Sequence, residues 1–103
     1  MNKNVEMKRE ENAGLMNRYL ELMSRDLKIK AIHVAIIMAI FHIAIENNSF
    51  RTVQISRRQV MGISHIKSIA TYHRYLKELV HMGYVKYHPS YHPRDGSSIT
   101  LCI

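Results

Sequence analysis

The chain has 103 residues, and 47% of them are hydrophobic, which is enough for one packed core without disulfides or metal. Fifteen Lys and Arg against eight Asp and Glu give a net charge of +7 and a pI near 9.8, which favours a polyanionic partner. The single Cys102 excludes a disulfide framework, and a start without an apolar signal region argues against secretion. We therefore expect one domain, residues 1–103, in the cytoplasm.

The positive charge is concentrated in the second half of the chain. Residues 1–50 carry seven basic and six acidic side chains, whereas residues 51–103 carry eight basic ones and only Glu78 and Asp95 as acids. Five of the seven histidines also lie in the second half, so mild acidification should raise its charge further. The second half is therefore the predicted contact surface.

The first half predicts an amphipathic helix over residues 8–25, after a polar, frayed start. Leu15, Tyr19, Leu20 and Met23 recur at helical spacing opposite charged side chains. Such a helix needs an apolar partner to cover this face.

A second, buried helix is predicted over residues 27–47, with Asp26 as its N-cap. Its most apolar stretch, residues 31–45, is too short for a membrane span and contains His33 and His42, which we expect to be packed in the core. Because this helix is apolar on nearly every side, it must be covered on more than one face. The first helix, a second protomer or both would provide that cover, so the sequence predicts a homodimer.

Residues 56–83 predict a helix-turn-helix. A β-branched strand over residues 52–55 precedes it, Ser56 and Ser68 are suited to cap its two helices, and Gly83 is suited to end the second. One apolar stripe runs along the second helix: Tyr72, Tyr75, Leu76, Leu79 and Val80.

Two strands are predicted over residues 84–103, which we call the wing. Residues 84–88 alternate between apolar and polar side chains and form the first strand. Asp95-Gly96 forms a tight turn, and residues 99–103 form the second strand. The predicted fold is mainly α with a small β-wing (α+β), a winged helix-turn-helix with an additional N-terminal helix.

This arrangement predicts a surface that binds double-stranded DNA. The start of the second motif helix, the recognition helix, offers free N–H groups to a phosphate, and an Arg beyond it favours guanine in the major groove. The alternative for each charged residue is a solvated surface position. The predicted contacts are Lys67, Ser68, Thr71, His73, Arg74 and Lys77 in the recognition helix, Ser56, Arg57 and Arg58 at the DNA backbone, and His92, Arg94, Ser97 and Ser98 in the wing.

Catalysis, a metal and a cofactor are not predicted. The sequence has no Gly-rich phosphate loop and no paired carboxylates. His88 and His92 have a suggestive spacing near His81, but Pro89 breaks any helix that would align them and no cysteine joins them.

The pattern Ser-x-x-Thr-Tyr-x-x-x-Leu-x-x-Leu-x-x-x-Gly-Tyr-Val at residues 68–85 resembles bacterial winged-helix regulators of the GntR and MarR types. A narrower likeness, at residues 27–35, 55–58, 66–73 and 83–93, is to small winged-helix proteins of conjugative and mobilizable bacterial elements. The resemblance implies a transcriptional regulator, or an excisionase-like accessory factor that bends DNA beside a recombinase. Gly62 departs from the pattern, since it falls where the first motif helix should end.

A second function class is a protein-interaction or dimerisation adaptor built on the same fold. The apolar helix over residues 31–45 would then be the working surface. The concentration of charge in residues 51–103 favours DNA over this alternative.

Overall fold

The computed structural model describes residues 3–90 and 96–103, which form four helices and three strands. The fold is α+β and mostly helical, which confirms the predicted fold class at this level. In chain order the elements are α1 (Lys3–Arg25), α2 (Ala31–Glu46), β1 (Thr52–Ile55), α3 (Arg57–Ser64), α4 (Ile69–His81), β2 (Val85–His88) and β3 (Ser97–Leu101).

The three strands form one antiparallel sheet in the order β1-β3-β2. Ile99 in the central strand pairs with Val53 on one side and with Tyr87 on the other. Because successive side chains of a strand point to opposite faces, Val53, Ile99 and Leu101 lie in the core. The opposite face carries polar side chains: Thr52, Gln54, Lys86, His88, Ser98 and Thr100.

Helix α2 is the centre of the core. Ile36, Ile37, Ile40 and Phe41 are fully buried, and α1, α3, α4 and β1 all pack against this helix. One chain therefore covers α2 on several faces, so a second protomer is not needed for that purpose. The homodimer remains a prediction, without this argument for it.

Two predicted helix starts were wrong. Helix α1 begins at Lys3 rather than at residue 8. Helix α2 begins at Ala31 rather than at residue 27, because Asp26 forms a turn instead of a cap: its carboxylate accepts from the Lys28 N–H at 2.9 Å and from the Tyr84 hydroxyl at 2.7 Å. Leu27 is consequently fully exposed.

Three side-chain predictions were also wrong. His42 lies on the exposed side of α2 rather than in the core. Leu20 and Val80 belong to apolar stripes by spacing, yet both are exposed because each lies at the edge of its buried face.

The predicted bounds of the last strand were wrong as well. Strand β3 spans Ser97–Leu101 rather than residues 99–103. Of the two residues predicted to form the tight turn before it, Asp95 lies outside the described residues.

No helix in the described part of the chain combines the length and apolarity that a membrane crossing requires.

Candidate nucleic-acid interface

Local hydrogen bonds fix the turn between α3 and α4. The Ser56 hydroxyl accepts from the Gln59 N–H at 3.1 Å, and the Gln59 side chain accepts from the Ser56 N–H at 3.1 Å, which is a capping box. Helix α3 continues through Gly62 and ends at Ser64, and its C-cap residue His65 adopts the left-handed conformation with φ 60°. The Ser68 hydroxyl then accepts from the Thr71 N–H at 3.2 Å and starts α4, as its sequence predicted.

Helix α4 separates into a buried side and an exposed side. Tyr72, Leu76 and Leu79 are buried. On the exposed side and at the start of the helix lie Lys67, Ser68, His73, Arg74 and Lys77, five of the six residues predicted for the recognition helix; the sixth, Thr71, is half-buried.

The residues predicted to contact the DNA backbone lie at the start of α3. Arg57 and Arg58 are both exposed, whereas Ser56 is half-buried and its hydroxyl is engaged in the cap. Burial, opposed in part by the nearby Arg57 charge, raises the pKa of Tyr72 to about 12. The Tyr72 hydroxyl therefore stays neutral beside the Arg57 cation.

Arg74 belongs to a hydrogen-bond chain that sequence reasoning missed. Its Nε donates to Glu78 Oε2 at 3.4 Å, and its guanidinium lies 5.2 Å from the centre of the Tyr75 ring. The other carboxylate oxygen of Glu78 lies 2.8 Å from Nε2 of His33, which is 1% exposed. The four-residue spacing of Arg74 and Glu78 was the available signal, since such pairs meet on one helix face.

The tautomer of His33 follows from its second partner. Nδ1 of His33 accepts from the Lys30 N–H at 2.8 Å, so Nε2 carries the ring proton and donates it to Glu78. This hydrogen bond is the main reason that the pKa of Glu78 is lowered from its ordinary value. The charged carboxylate is thereby fixed where it can orient Arg74.

The sheet separates the two wing serines. Ser97 and Ile99 share the face that packs on the helices, and the Ser97 hydroxyl bonds to the Tyr87 hydroxyl at 2.8 Å. Ser98 lies on the polar face opposite, because alternate residues of a strand point to opposite sides. The pair therefore does not form one contact surface, and the other two predicted wing residues, His92 and Arg94, lie outside the described residues.

Among the described residues, no group of three or more His, Cys, Asp or Glu is arranged to hold a metal ion. Comparison with protein-family models, with curated proteins and with solved structures found no match.

Proposed function

We propose that this chain is a winged-helix protein that binds double-stranded DNA with sequence specificity. Two features of the fold support the proposal. From α2 to β3 the elements follow the order helix, strand, helix, helix, strand, strand, and the strands of the sheet follow the order β1-β3-β2. The single observation that carries it is the exposed cationic side of α4, whose His73 and Lys77 line one groove together with Arg57, the exposed arginine that begins α3. Both belong to the half of the chain with a charge of +6.

The proposed anchoring to phosphates uses charge and free backbone groups. Arg57 and Arg58 neutralise phosphates on the DNA backbone, which fixes register without reading sequence. At the start of α4 the Ser68 cap uses the Thr71 N–H, so the N–H groups of Ile69 and Ala70 remain to donate to a phosphate.

The proposed reading of bases uses the exposed side of α4. Arg74 donates to guanine in the major groove, with His73, Lys77 and Thr71 beside it. Because Glu78 takes the Nε–H of Arg74, the terminal guanidinium nitrogens remain to form the paired hydrogen bonds that guanine accepts. The wing, including His92, Arg94 and Ser98, contacts the neighbouring groove or backbone.

The proposed biological output is transcriptional regulation or an excisionase-like accessory role, with a homodimer on a two-part site and a recombinase or another protein as partner in the accessory role. In a bacterial cell the protein would then be in the cytoplasm, associated with the nucleoid when bound. The adaptor alternative would use α2 as its working surface, but the apolar side chains of that helix from residue 32 to residue 45 are buried or half-buried by the other elements of the chain. We therefore propose the DNA-binding function alone.

Fluorescence anisotropy tests the proposal. Duplex DNA from upstream of the protein's own gene is compared with a scrambled duplex between roughly 50 and 200 mM salt. We expect tighter binding to the native sequence that persists at the higher salt. Equal binding to both duplexes would contradict sequence specificity, and no binding to either would contradict the function.

Two double variants, each of which removes two positive charges, test which surface of the protein binds DNA. Arg57→Gln with Arg58→Gln should weaken binding to both duplexes and flatten its salt dependence by about two units. Lys8→Gln with Arg18→Gln removes two positive charges from exposed positions of α1 and should change binding little. Equal losses in the two double variants would mean that net charge, rather than this surface, attracts DNA.

A further inference from the structure

One negative charge lies among the cations of α4. Glu78 is the one carboxylate side chain among the described residues of the second half of the chain, 51–90 and 96–103. Its side chain is 38% exposed, and Lys28, Lys30 and His81 line the same depression of the surface. A surface that attracts phosphates through its cations is weakened by an acid in their midst, so this charge calls for an explanation.

The carboxylate of Glu78 is held from inside the protein. Nε2 of His33, which is 1% exposed, donates to one of its oxygens at 2.8 Å. The His33 ring packs edge-on against Tyr75, with the ring centres 5.0 Å apart, so the donor has a fixed orientation. The same hydrogen bond lowers the pKa of Glu78, so the carboxylate is charged at neutral pH.

The cations of the proposed DNA surface differ in their access to this charge. Arg74 donates from Nε to the second oxygen of Glu78 at 3.4 Å. Arg57 and Arg58, which we assign to the DNA backbone, form no ion pair with a carboxylate of the described chain. The acid therefore accompanies the arginine assigned to reading bases and not the two arginines assigned to phosphates.

Arg74 could meet two kinds of acceptor on a duplex. One is the anionic oxygens of a phosphate, and the other is the O6 and N7 atoms of guanine, which carry no net charge. A phosphate bound to Arg74 would lie closer to the Glu78 carboxylate than the roughly 8 Å over which physiological salt screens charges. The two negative charges would repel each other, whereas the edge of a guanine meets no such repulsion.

We propose that Glu78 is a specificity-determining residue, which positions Arg74 for guanine and prevents it from binding phosphates on unrelated DNA. This inference rests on the proposed function, because it requires that the exposed side of α4 meets a duplex. Its effect is on the ratio of the affinities for the native and for unrelated sequences. The repulsive contact with the wrong ligand contributes to that ratio as much as the attractive contact with the right one.

Glu78→Gln tests the proposal, because glutamine keeps an oxygen that can accept from His33 but has no charge. In the anisotropy assay, we expect binding to the scrambled duplex to tighten by about two- to fivefold. Binding to the native duplex should tighten less or weaken, since Arg74 loses its orientation towards guanine. The salt dependence of binding to the scrambled duplex should steepen by about one unit, because Arg74 gains a phosphate.

A second pair of the same kind provides the control. Glu21 and Arg25 of α1 have the same four-residue spacing, and their side chains form an exposed ion pair of 3.1 Å. Glu21→Gln removes the same charge and should change binding to the two duplexes by the same factor. Thermal unfolding of both variants checks that each retains the fold. Equal changes on the two duplexes in Glu78→Gln would mean that only net charge matters, and would overturn the proposal.

The role of Arg74 is tested by combining the two substitutions. In an Arg74→Ala background, Glu78→Gln should no longer lower the ratio of affinities or steepen the salt dependence, because the residue through which Glu78 acts is absent. An unchanged effect in that background would overturn the proposal, since Glu78 would then act on DNA directly.

Failure of this inference is distinguishable from failure of the proposed function. A wild-type protein that prefers the native duplex, with the same preference in Glu78→Gln, would overturn the role of Glu78 alone. A wild-type protein that binds neither duplex would overturn the proposed function and this inference with it.

Discussion

At the scale of single residues, Arg74 is the side chain whose surroundings matter most for the proposed function. Glu78 holds its Nε, and Glu78 is itself held by the buried His33 of another helix. A long flexible cation is thereby ordered before it meets a ligand, which lowers the entropy lost on binding. The arginines at the start of α3 are exposed, and we assign them a different role, that of phosphate contacts.

This division of roles predicts different effects for two alanine variants. Arg74→Ala should relax the preference for the native base sequence by about 1 to 3 kcal/mol, because the variant cannot form the proposed paired contact with guanine. Arg58→Ala should weaken binding to all duplexes alike and reduce the slope of log affinity against log salt by about one unit. Both are measured by anisotropy with single-base variants of the site. Identical losses on every sequence for both variants would contradict the assignment.

The hydrogen bond from His33 to Glu78 predicts an acid-sensitive contribution to stability. Because the folded-state pKa of Glu78 lies below its ordinary value of 4.5, the unfolded chain binds this proton more readily. The stabilisation is complete above that ordinary value and is lost as the pH falls through the lowered folded-state pKa. Glu78→Gln keeps an oxygen that can accept from His33 but cannot titrate. Its unfolding free energy should therefore fall less steeply than that of the wild type below about pH 5.

Urea unfolding measured across this pH range gives the comparison. Glu11→Gln changes an exposed carboxyl of α1 and should retain the wild-type pH dependence. If Glu11→Gln and Glu78→Gln flattened the curve equally, the hydrogen bond from His33 would not be the source.

At the scale of elements, caps and turns are set by short-range contacts. The hydroxyls of Ser56 and Ser68 each accept a backbone N–H three residues ahead, which places α3 and α4 in the chain. Gly96 immediately precedes β3 and has a positive φ of +65°. A Cβ atom there would lie 2.7 Å from the carbonyl oxygen of Ile55. The approach of β1 to this turn therefore requires glycine.

Two alanine substitutions at glycine should have opposite effects. Gly96→Ala should destabilise the protein by about 1 to 3 kcal/mol through backbone strain, with the contact at Ile55 adding to the loss. Gly14→Ala lies within α1, where a Cβ meets nothing within 4 Å, and should stabilise by about 0.5 to 1 kcal/mol. Chemical denaturation of both variants measures the two values. A Gly96→Ala protein as stable as the wild type would contradict the turn geometry.

At the scale of the whole molecule, Tyr19 joins distant parts of the chain. Its buried ring packs edge-on against Phe41 of α2 with the ring centres 5.4 Å apart. Its hydroxyl donates to the Tyr84 carbonyl and accepts from the Ile103 N–H. Burial raises the pKa of Tyr19 to about 12, so the hydroxyl keeps its proton. Helix α1 is thus tied both to the central helix and to the end of the sheet.

Tyr19→Phe isolates the contribution of this hydroxyl. The ring and its packing remain, so we expect a loss of about 1 to 3 kcal/mol from the buried hydrogen bonds. Tyr87→Phe removes a hydroxyl from a side chain that is 42% exposed and should cost less than about 0.5 kcal/mol. Equal losses in urea unfolding would mean that the Tyr19 hydroxyl does not join α1 to the rest of the molecule.

Periodicity and capping, which depend on residues at most four positions apart, predicted the number and order of the helices and strands and the two serine caps, but not every boundary. They also predicted which side of α4 is exposed, because its stripe is strongly apolar. The same reasoning failed at Asp26, because the Tyr84 hydroxyl, 58 positions further along the chain, donates a hydrogen bond to the Asp26 carboxylate. It failed for His42 because α2 is apolar nearly all round, so its spacing does not single out one exposed side.

Only the tertiary structure decided how the elements cover one another. Packing of α1 on α2 removed the argument for a second protomer, and the partnership of His33 with Glu78 joins residues 45 positions apart. The groove between α4 and the sheet has no local signal, because Arg57, Lys77 and Tyr87 belong to three different elements. Local propensity specifies elements, whereas the packing of their apolar faces specifies which polar side chains meet.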